Sequence, residues 1–327
     1  MRKKRWVPWV LVGPALVVVL ATTVYPLLAA LYYSFQKYDL RKPPQFAVQF
    51  ASELGDPLVS IDWSLLSLNN YARAFSDSRF INSLNVTFWF TVISVGLSVI
   101  IGLLIAVVVQ KNGRLQTLTK ILLIFPFAVS PALKGYSWRY MLNEEYGIYD
   151  LLIDVLIVRP INFVIELVNI LPFVDIAPLS ESIVWLADRF WALFMLAMSE
   201  TWGWAPLIAL MFVGALGSID TQIFEAAKID GANNWQIFWR VTLPLLRPVI
   251  LIVTMLKTIF SLKMFDQVVT MTGGGPVRAT QTINYYIHQV GFVRNLDIGY
   301  ASALAYILVV ILTILAALYV TKVLNRD

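Results

Sequence analysis

The chain has 327 residues, of which 59% are hydrophobic and 14% charged, with a mean hydropathy of +0.73 and a formal net charge of +5. A soluble domain is about 45–50% apolar and about 25% charged, so lipid must be the solvent for much of this chain. Its 19 Phe, 14 Tyr and 11 Trp exclude a disordered polymer, and the absence of cysteine excludes disulfides, thiolate metal sites and cysteine nucleophiles together.

A bilayer core about 30 Å thick needs about 20 mostly apolar helical residues. Trp6 to Gln36 follows the basic run Met1 to Arg5 and carries no charge. It is too long for a signal-peptide core and no A-x-A-like site follows closely, so a retained first helix is expected. Lys37 to Arg79, with Pro43, Pro44, Gly55 and Pro57, reads as a polar loop. Phe80 to Gln110 is a second uncharged span, and Ile121 to Met141 a third that contains Lys134 and Arg139. The stretch Asp150 to Asp188 is as apolar as a span, but Asp154, Arg159, Pro160, Glu166, Pro172, Asp175 and Pro178 interrupt it. Short amphipathic helices at the membrane interface are expected there, rather than two extra spans. Phe190 to Ile219, with Glu200, is the fourth span; Val249 to Met271, with Lys257, Lys263 and Asp266, is the fifth; Ile298 to Val320 is the sixth.

The expected fold class is therefore an all-α integral membrane protein with six transmembrane helices. Residues 1–79 supply the first transmembrane helix and an outer loop, and residues 80–327 a transmembrane domain with an outer insertion at 150–188 and a loop at 219–247. An even span count puts both termini on one side. That side holds twelve Lys and Arg against four acidic residues, the other nine against fourteen, and the spans themselves carry two net positive charges. Basic residues beside span ends mark the cytoplasmic side, so both termini and the 219–247 loop are expected in the cytoplasm of a cell that holds this chain in its inner or plasma membrane. The net positive charge then needs no nucleic-acid partner.

Within that loop, Asp220 is placed to cap a short helix whose apolar face is Ile223, Ala226 and Ala227. Gly231 supplies a turn, Asn233 or Asn234 caps a second helix carrying Trp235, Phe238 and Trp239, and Pro244 is expected to close it. Small residues on the first helix would admit another backbone, while an amphipathic loop folding back on the membrane accounts for the pattern equally well.

Glu225-Ala226-Ala227, Gly231 and Leu243-Pro244 resemble the "EAA" loop of inner-membrane permease subunits of binding-protein-dependent ABC importers. Thr272-Gly273-Gly274-Gly275-Pro276, Tyr285-Tyr286-Ile287 and Gly299-Tyr300-Ala301-Ser302-Ala303 are similar to the segment joining the last two spans in the carbohydrate branch. So are Asn70-Tyr71 and Phe75 before the second span, and Phe125-Pro126 with Trp138 in the third. The likeness runs from about Pro14 to the C-terminus and looks like the maltose or glycerol-phosphate type. It implies that Glu225, Ala226, Ala227, Asp230, Gly231 and Pro244 couple to a cytoplasmic ATPase present in two copies, which binds ATP and Mg while this chain binds no cofactor. It also implies a second homologous permease, and an external solute-binding protein that delivers a small-molecule solute to the lipid-embedded pore.

Chemistry of other kinds is thinly represented. No G-x-x-x-x-G-K-[ST] exists, so Gly273-Gly274-Gly275 is no ATP site, and a single histidine, His288, excludes paired-histidine metal sites and is expected at the outer surface. Ionisable residues inside spans normally face a bundle interior or an aqueous cavity. Glu200 sits beside Trp202, Gly203 and Trp204, and Lys257, Ser261 and Phe265 recur at i, i+4 and i+8 on one face of the fifth span. In the maltose type, substrate contacts come from these parts of spans four and five, which makes Glu200, Trp204, Leu207, Lys257 and Ser261 the candidate substrate-pathway residues. A Glu200–Lys257 pair of purely structural purpose is the other reading. Lys134, Lys263 and Asp266 are expected near span ends, reaching toward the interface. The whole reads as a non-enzymatic permease for a sugar or oligosaccharide; a phosphorylated polyol or other charged solute is the alternative within transport, and a membrane scaffold or enzyme the alternative outside it.

Overall fold

In hydrocarbon every backbone N–H and C=O must be paired internally, which makes helix the form available to the long apolar runs. The computed structural model describes residues 7–42, 46, 48–50, 59–110, 113–169, 176–178 and 184–324, and these are predominantly helical. The basic run Met1 to Arg5, Lys111, parts of the 37–79 loop and of the 150–188 insertion, and residues 325–327 lie outside the described residues.

The first apolar run forms α1 (Val7–Val19) and α2 (Tyr25–Ser34), joined by a π turn at Leu20–Val24. The following loop contains a short antiparallel hairpin, β1 (Val48–Phe50) and β2 (Val59–Ile61), with Val48 opposite Ile61, where the sequence offered only turn signals. Then come α3 (Asn69–Ser76), the 32-residue α4 (Ser78–Val109), α5 (Arg114–Leu122), α6 (Ile124–Ala128) and α7 (Pro131–Met141). α8 (Ile148–Ile153) and α9 (Arg159–Asn169) are followed by α10 (Arg189–Gly217), α11 (Thr221–Ile229) and α12 (Asn234–Ile237). α13 (Leu243–Leu262), α14 (Ile283–His288) and α15 (Ile298–Leu324) complete the chain.

Among the described residues, five helical segments are long and apolar enough to cross a bilayer: Val12–Ser34, Ser78–Val109, Arg189–Gly217, Asn234–Leu262 and Ile298–Thr321. A sixth exists if Thr117–Ala128 and Pro131–Met141, bent by 94° at their junction, count as one broken span. Pro131 has no N–H to continue the ladder, and the residue before a proline is driven out of the α region; Ser130 accordingly takes φ −61°, ψ 145°. The segment expected as the third span, Ile121 to Met141, thus holds two helices that meet at a sharp bend. The fifth span also differs. It starts at Asn234, because α12 runs into α13 through a π turn at Phe238–Thr242, and Pro244 lies in the first turn of α13, where a missing N–H costs nothing. Pro244 therefore opens α13 and closes nothing. The span ends at Leu262, short of the expected Met271, with a separate π turn at Val268–Thr272. In the insertion, α8 and α9 join through a π turn at Asp154–Val158 instead of standing as short pieces, and none of the described residues there forms a span.

The chain divides into two compact units, Met1–Ile81 with Tyr286–Thr313, and Asn82–Tyr285 with Ile314–Asp327. In the first, the Asn70 side-chain amide donates to the carbonyls of Ser34 (3.0 Å) and Gln36 (2.8 Å), satisfying orphan acceptors at the end of α2, while the Tyr71 hydroxyl meets Ser34 Oγ at 2.7 Å. Gly299 is required by close approach, since a Cβ there would lie 2.1 Å from the Gln36 carbonyl oxygen. Asp77 is the polar hub. Its Oδ2 accepts from the hydroxyls of Tyr286 (2.5 Å) and Tyr300 (2.7 Å), and its Oδ1 from the Arg79 N–H (2.9 Å). Arg73 pairs with Asp297 at 2.9 Å, and its guanidinium stands 4.0 Å over the Tyr300 ring. Burial alone would raise the Asp77 carboxyl, but hydrogen bonds from both tyrosines and from the backbone outweigh it and hold its pKa below the usual carboxylate range. A depressed folded-state pKa stabilises fully above the unfolded value of about 4 and is lost as pH falls through the folded value. Asp77→Asn is therefore expected to lower the midpoint of thermal unfolding at pH 7 and to converge on the parent below pH about 4, as read by a melting series in detergent.

The second unit packs through small residues. A Cβ on Gly102 of α4 would sit 2.6 Å from Ile208 Cγ2 and 3.1 Å from the Ala205 carbonyl oxygen, and Ala106, Ala205 and Ala209 are buried. This is the close backbone approach by which helices associate in lipid. Gly135 does the same for α7 against the π turn at Val268–Thr272, where a Cβ would fall 1.8 Å from Thr270 Oγ1. Gly135→Ala is expected to cost about 1–3 kcal/mol by overpacking, seen as a lower melting midpoint. Phe90, Trp138, Leu142, Trp185, Leu196 and Met271 form the apolar cluster around this contact.

Candidate functional site

The polar Ile219–Arg247 segment folds as a helix–turn–helix. Asp220 Oδ1 accepts from the Gln222 N–H at 2.9 Å to start α11, Gly231 takes φ +81° in the turn, and Asn233 and Gln236 cap α12 reciprocally at 2.8 and 2.9 Å. Glu225, Ala226, Asp230, Gly231 and Pro244 are exposed and Ala227 is half-buried. Ala227, Asp230 and Gly231 border a shallow cavity of about 330 Å³ together with Gln236 and Arg240. Glu225 makes no ion pair among the described residues, and Ile229 and Trp235 are 86% and 70% exposed. This surface contributes little to the fold's own core.

A second constellation lies within the spans. Lys257 Nζ donates to Glu200 Oε1 at 2.9 Å, and the two side chains are 0% and 5% exposed. The ammonium also stands 5.1 Å from the centroid of the Trp204 ring. Trp204 packs against Phe260 (4.8 Å between centroids) and edge-on to Phe127 (5.5 Å). These groups bound a cavity of about 330 Å³ walled by Phe127, Val129, Pro131, Lys134, Glu200, Trp204 and Phe260, with Lys263, Met264, Phe265 and Asp266 completing it.

Of the five residues expected on a substrate pathway, Glu200 and Trp204 line this cavity. Lys257 stands behind them as the partner of Glu200. Ser261 is fully buried with its hydroxyl unpartnered among the described residues, and Leu207 packs into the apolar cluster of Ile208, Phe212, Leu246 and Val253. Phe265 reaches the cavity from beyond the end of α13, so the i, i+8 helical relation to Lys257 does not apply. Lys134 departs from its expected place at a span end: it is buried, 4% exposed, and its ammonium lies against Gly203, where a Cβ would come within 2.4 Å of Nζ. The break at Pro131 carries it inward. Val129, Pro131, Phe127 and Phe260 were likewise missed, and Pro131 was the signal that could have found them.

The Gly-rich segment is a structural turn. Gly273 and Gly274 take φ +59° and +81°, Thr280 Oγ1 donates to Gly275 O at 2.6 Å, and a Cβ on Gly274 would lie 2.6 Å from Tyr285 Cε1. His288 is half-buried, its ring tilted against that of Phe292 at 5.8 Å between centroids, instead of standing fully at the surface.

Several long apolar helices, a buried ion pair and a solute-sized cavity among them define a multi-span membrane protein of the transport class. Residues 98–327 match the family described as "Binding-protein-dependent transport system inner membrane component", and the chain belongs to that family. It is 29% identical to the trehalose/maltose transport system permease protein MalF of Thermococcus litoralis, over 94% of this chain and 90% of that one. It is 28% identical to the sulfoquinovosyl glycerol transport system permease protein SmoG of Agrobacterium fabrum (99% and 95%), and 28% to the sn-glycerol-3-phosphate permease UgpA of Brucella suis (95% and 92%). Its fold is that of a chain in the crystal structure of a bacterial ABC transporter involved in import of the acidic polysaccharide alginate, with a TM-score of 0.73 at 15% identity, covering 99% and 97%.

Proposed function

We propose that this chain forms half of the membrane pathway of an ATP-driven importer for a sugar or sugar-like solute, delivered by a solute-binding protein. The observation that carries the reading is the cavity between α7, α10 and the end of α13, where aromatic faces stand beside charged and hydrogen-bonding groups. A sugar presents apolar C–H faces and a polar rim, and this wall offers complements to both. The relatives named for sugars and sugar-like polyols agree with it. A second homologous permease would supply the opposite wall.

ATP and Mg belong, in this reading, to a separate cytoplasmic ATPase present in two copies. α11 and α12 form its docking surface, with Glu225, Ala226 and Ala227 at the contact and Asp230, Gly231 and Pro244 shaping it. Because α12 continues through the π turn into α13, movement of the docked helix is delivered to the helix that carries Lys257 and Ser261. Both termini and this loop face the cytoplasm. Co-purification tests the assembly: the detergent-solubilised chain is expected to bring down an ATPase and a second permease, and its isolation alone under mild detergent would sink the reading.

A further inference from the structure

We propose that the cavity seats the anionic group of an acidic sugar or polyol, a carboxylate, sulfonate or phosphate, with Lys134 as its counter-ion. This rests on the reading of the chain as a solute permease and names the charge of its solute. Lys134 is 4% exposed, yet its ammonium has no hydrogen bond or ion pair among the described residues. Glu200 lies within electrostatic reach of it, but Lys257 already donates to the Glu200 Oε1 at 2.9 Å. Two ammonium groups, that of Lys257 enclosed and that of Lys134 opening onto the cavity, therefore share one carboxylate, which leaves one positive charge over. Lys263 and Asp266, which also border the cavity, are exposed and add one charge of each sign.

A charge left without a counter-ion inside a span is costly, so its retention calls for a partner that arrives from outside the chain. The backbone points the same way. α7 begins at Pro131 after the 94° bend, and Val129, Pro131 and Lys134 all lie on the cavity wall, so the positive end of the helix dipole opens onto it. A broken span that turns a half-helix N-terminus toward a midmembrane cavity is a recurrent way of holding an anionic substrate group. Phe127, Trp204 and Phe260 remain for the apolar faces of the ring. A neutral sugar would use the aromatic walls and leave Lys134 unpaired; an acidic one uses both.

The test is ATP-dependent uptake by the whole importer in proteoliposomes, comparing a uronate disaccharide and glycerol phosphate with maltose and glycerol. The anionic probes are expected to enter in preference, and the ratio of anionic to neutral uptake to fall at least tenfold in Lys134→Met but to be largely kept in Lys134→Arg. Gly203→Ala, whose methyl would displace the ammonium without removing its charge, is expected to lower the same ratio and serves if Lys134→Met fails to assemble. Preference for neutral probes, or a ratio unchanged in an assembled Lys134→Met complex, overturns the inference and leaves the permease reading standing. Absence of ATP-dependent uptake of every probe by the unaltered complex overturns both.

Discussion

Lys257→Met is expected to destabilise the folded chain by about 3–5 kcal/mol, because it leaves the Glu200 carboxylate buried without the ammonium that now lies 2.9 Å away. Lys134 is close enough to interact with Glu200, but its ammonium is held against Gly203 and does not replace the lost hydrogen bond. The double variant Glu200→Gln, Lys257→Met removes both charges and is expected to recover most of that loss. Thermal unfolding in detergent, read from tryptophan fluorescence since Lys257 stands 5.1 Å from the Trp204 ring, gives the four corners of the cycle. Additive losses in the double variant would mean that the two side chains do not stabilise each other.

Glu225→Lys is expected to do the opposite: little to the fold and much to transport. Its side chain is exposed and makes no ion pair among the described residues, and exposed substitutions away from special features usually change stability by no more than about 0.5 kcal/mol. If α11 is the ATPase contact, reversing its charge should cut ATP-driven uptake about a hundredfold while the chain still inserts and melts normally. Equal uptake by the two proteins would remove α11 from the coupling surface.

Much of the architecture was legible because a bilayer admits few solutions. Uncharged runs such as Phe80 to Gln110 have no alternative to helix, and the observed α4 brackets that run within two residues at its start and one at its end. The cap at Asp220 was equally readable, and that of α12 was narrowed to Asn233 or Asn234, since both depend on side chains two or three residues from the N–H groups they accept from. Hydropathy averages over Pro131 and so did not register that the backbone turns by 94° there. Lys134 was expected near a span end, whereas it lies on the cavity wall one turn after that bend. The Glu200–Lys257 contact joins residues 57 apart in the chain, so the sequence named both partners and left their pairing open. Leu207 and Ser261 share helices with Trp204 and Phe260 but lie off this cavity, a matter of helix rotation that single-sequence periodicity does not fix for spans apolar on all sides.

The most direct test of the account is uptake by proteoliposomes that contain this chain, its homologous permease partner and the ATPase, with solute-binding protein on the solute side. Solute is expected to accumulate only with ATP on the side of α11 and α12, and accumulation to vanish when this chain is omitted. Accumulation that persists without ATP, or without this chain, would contradict it.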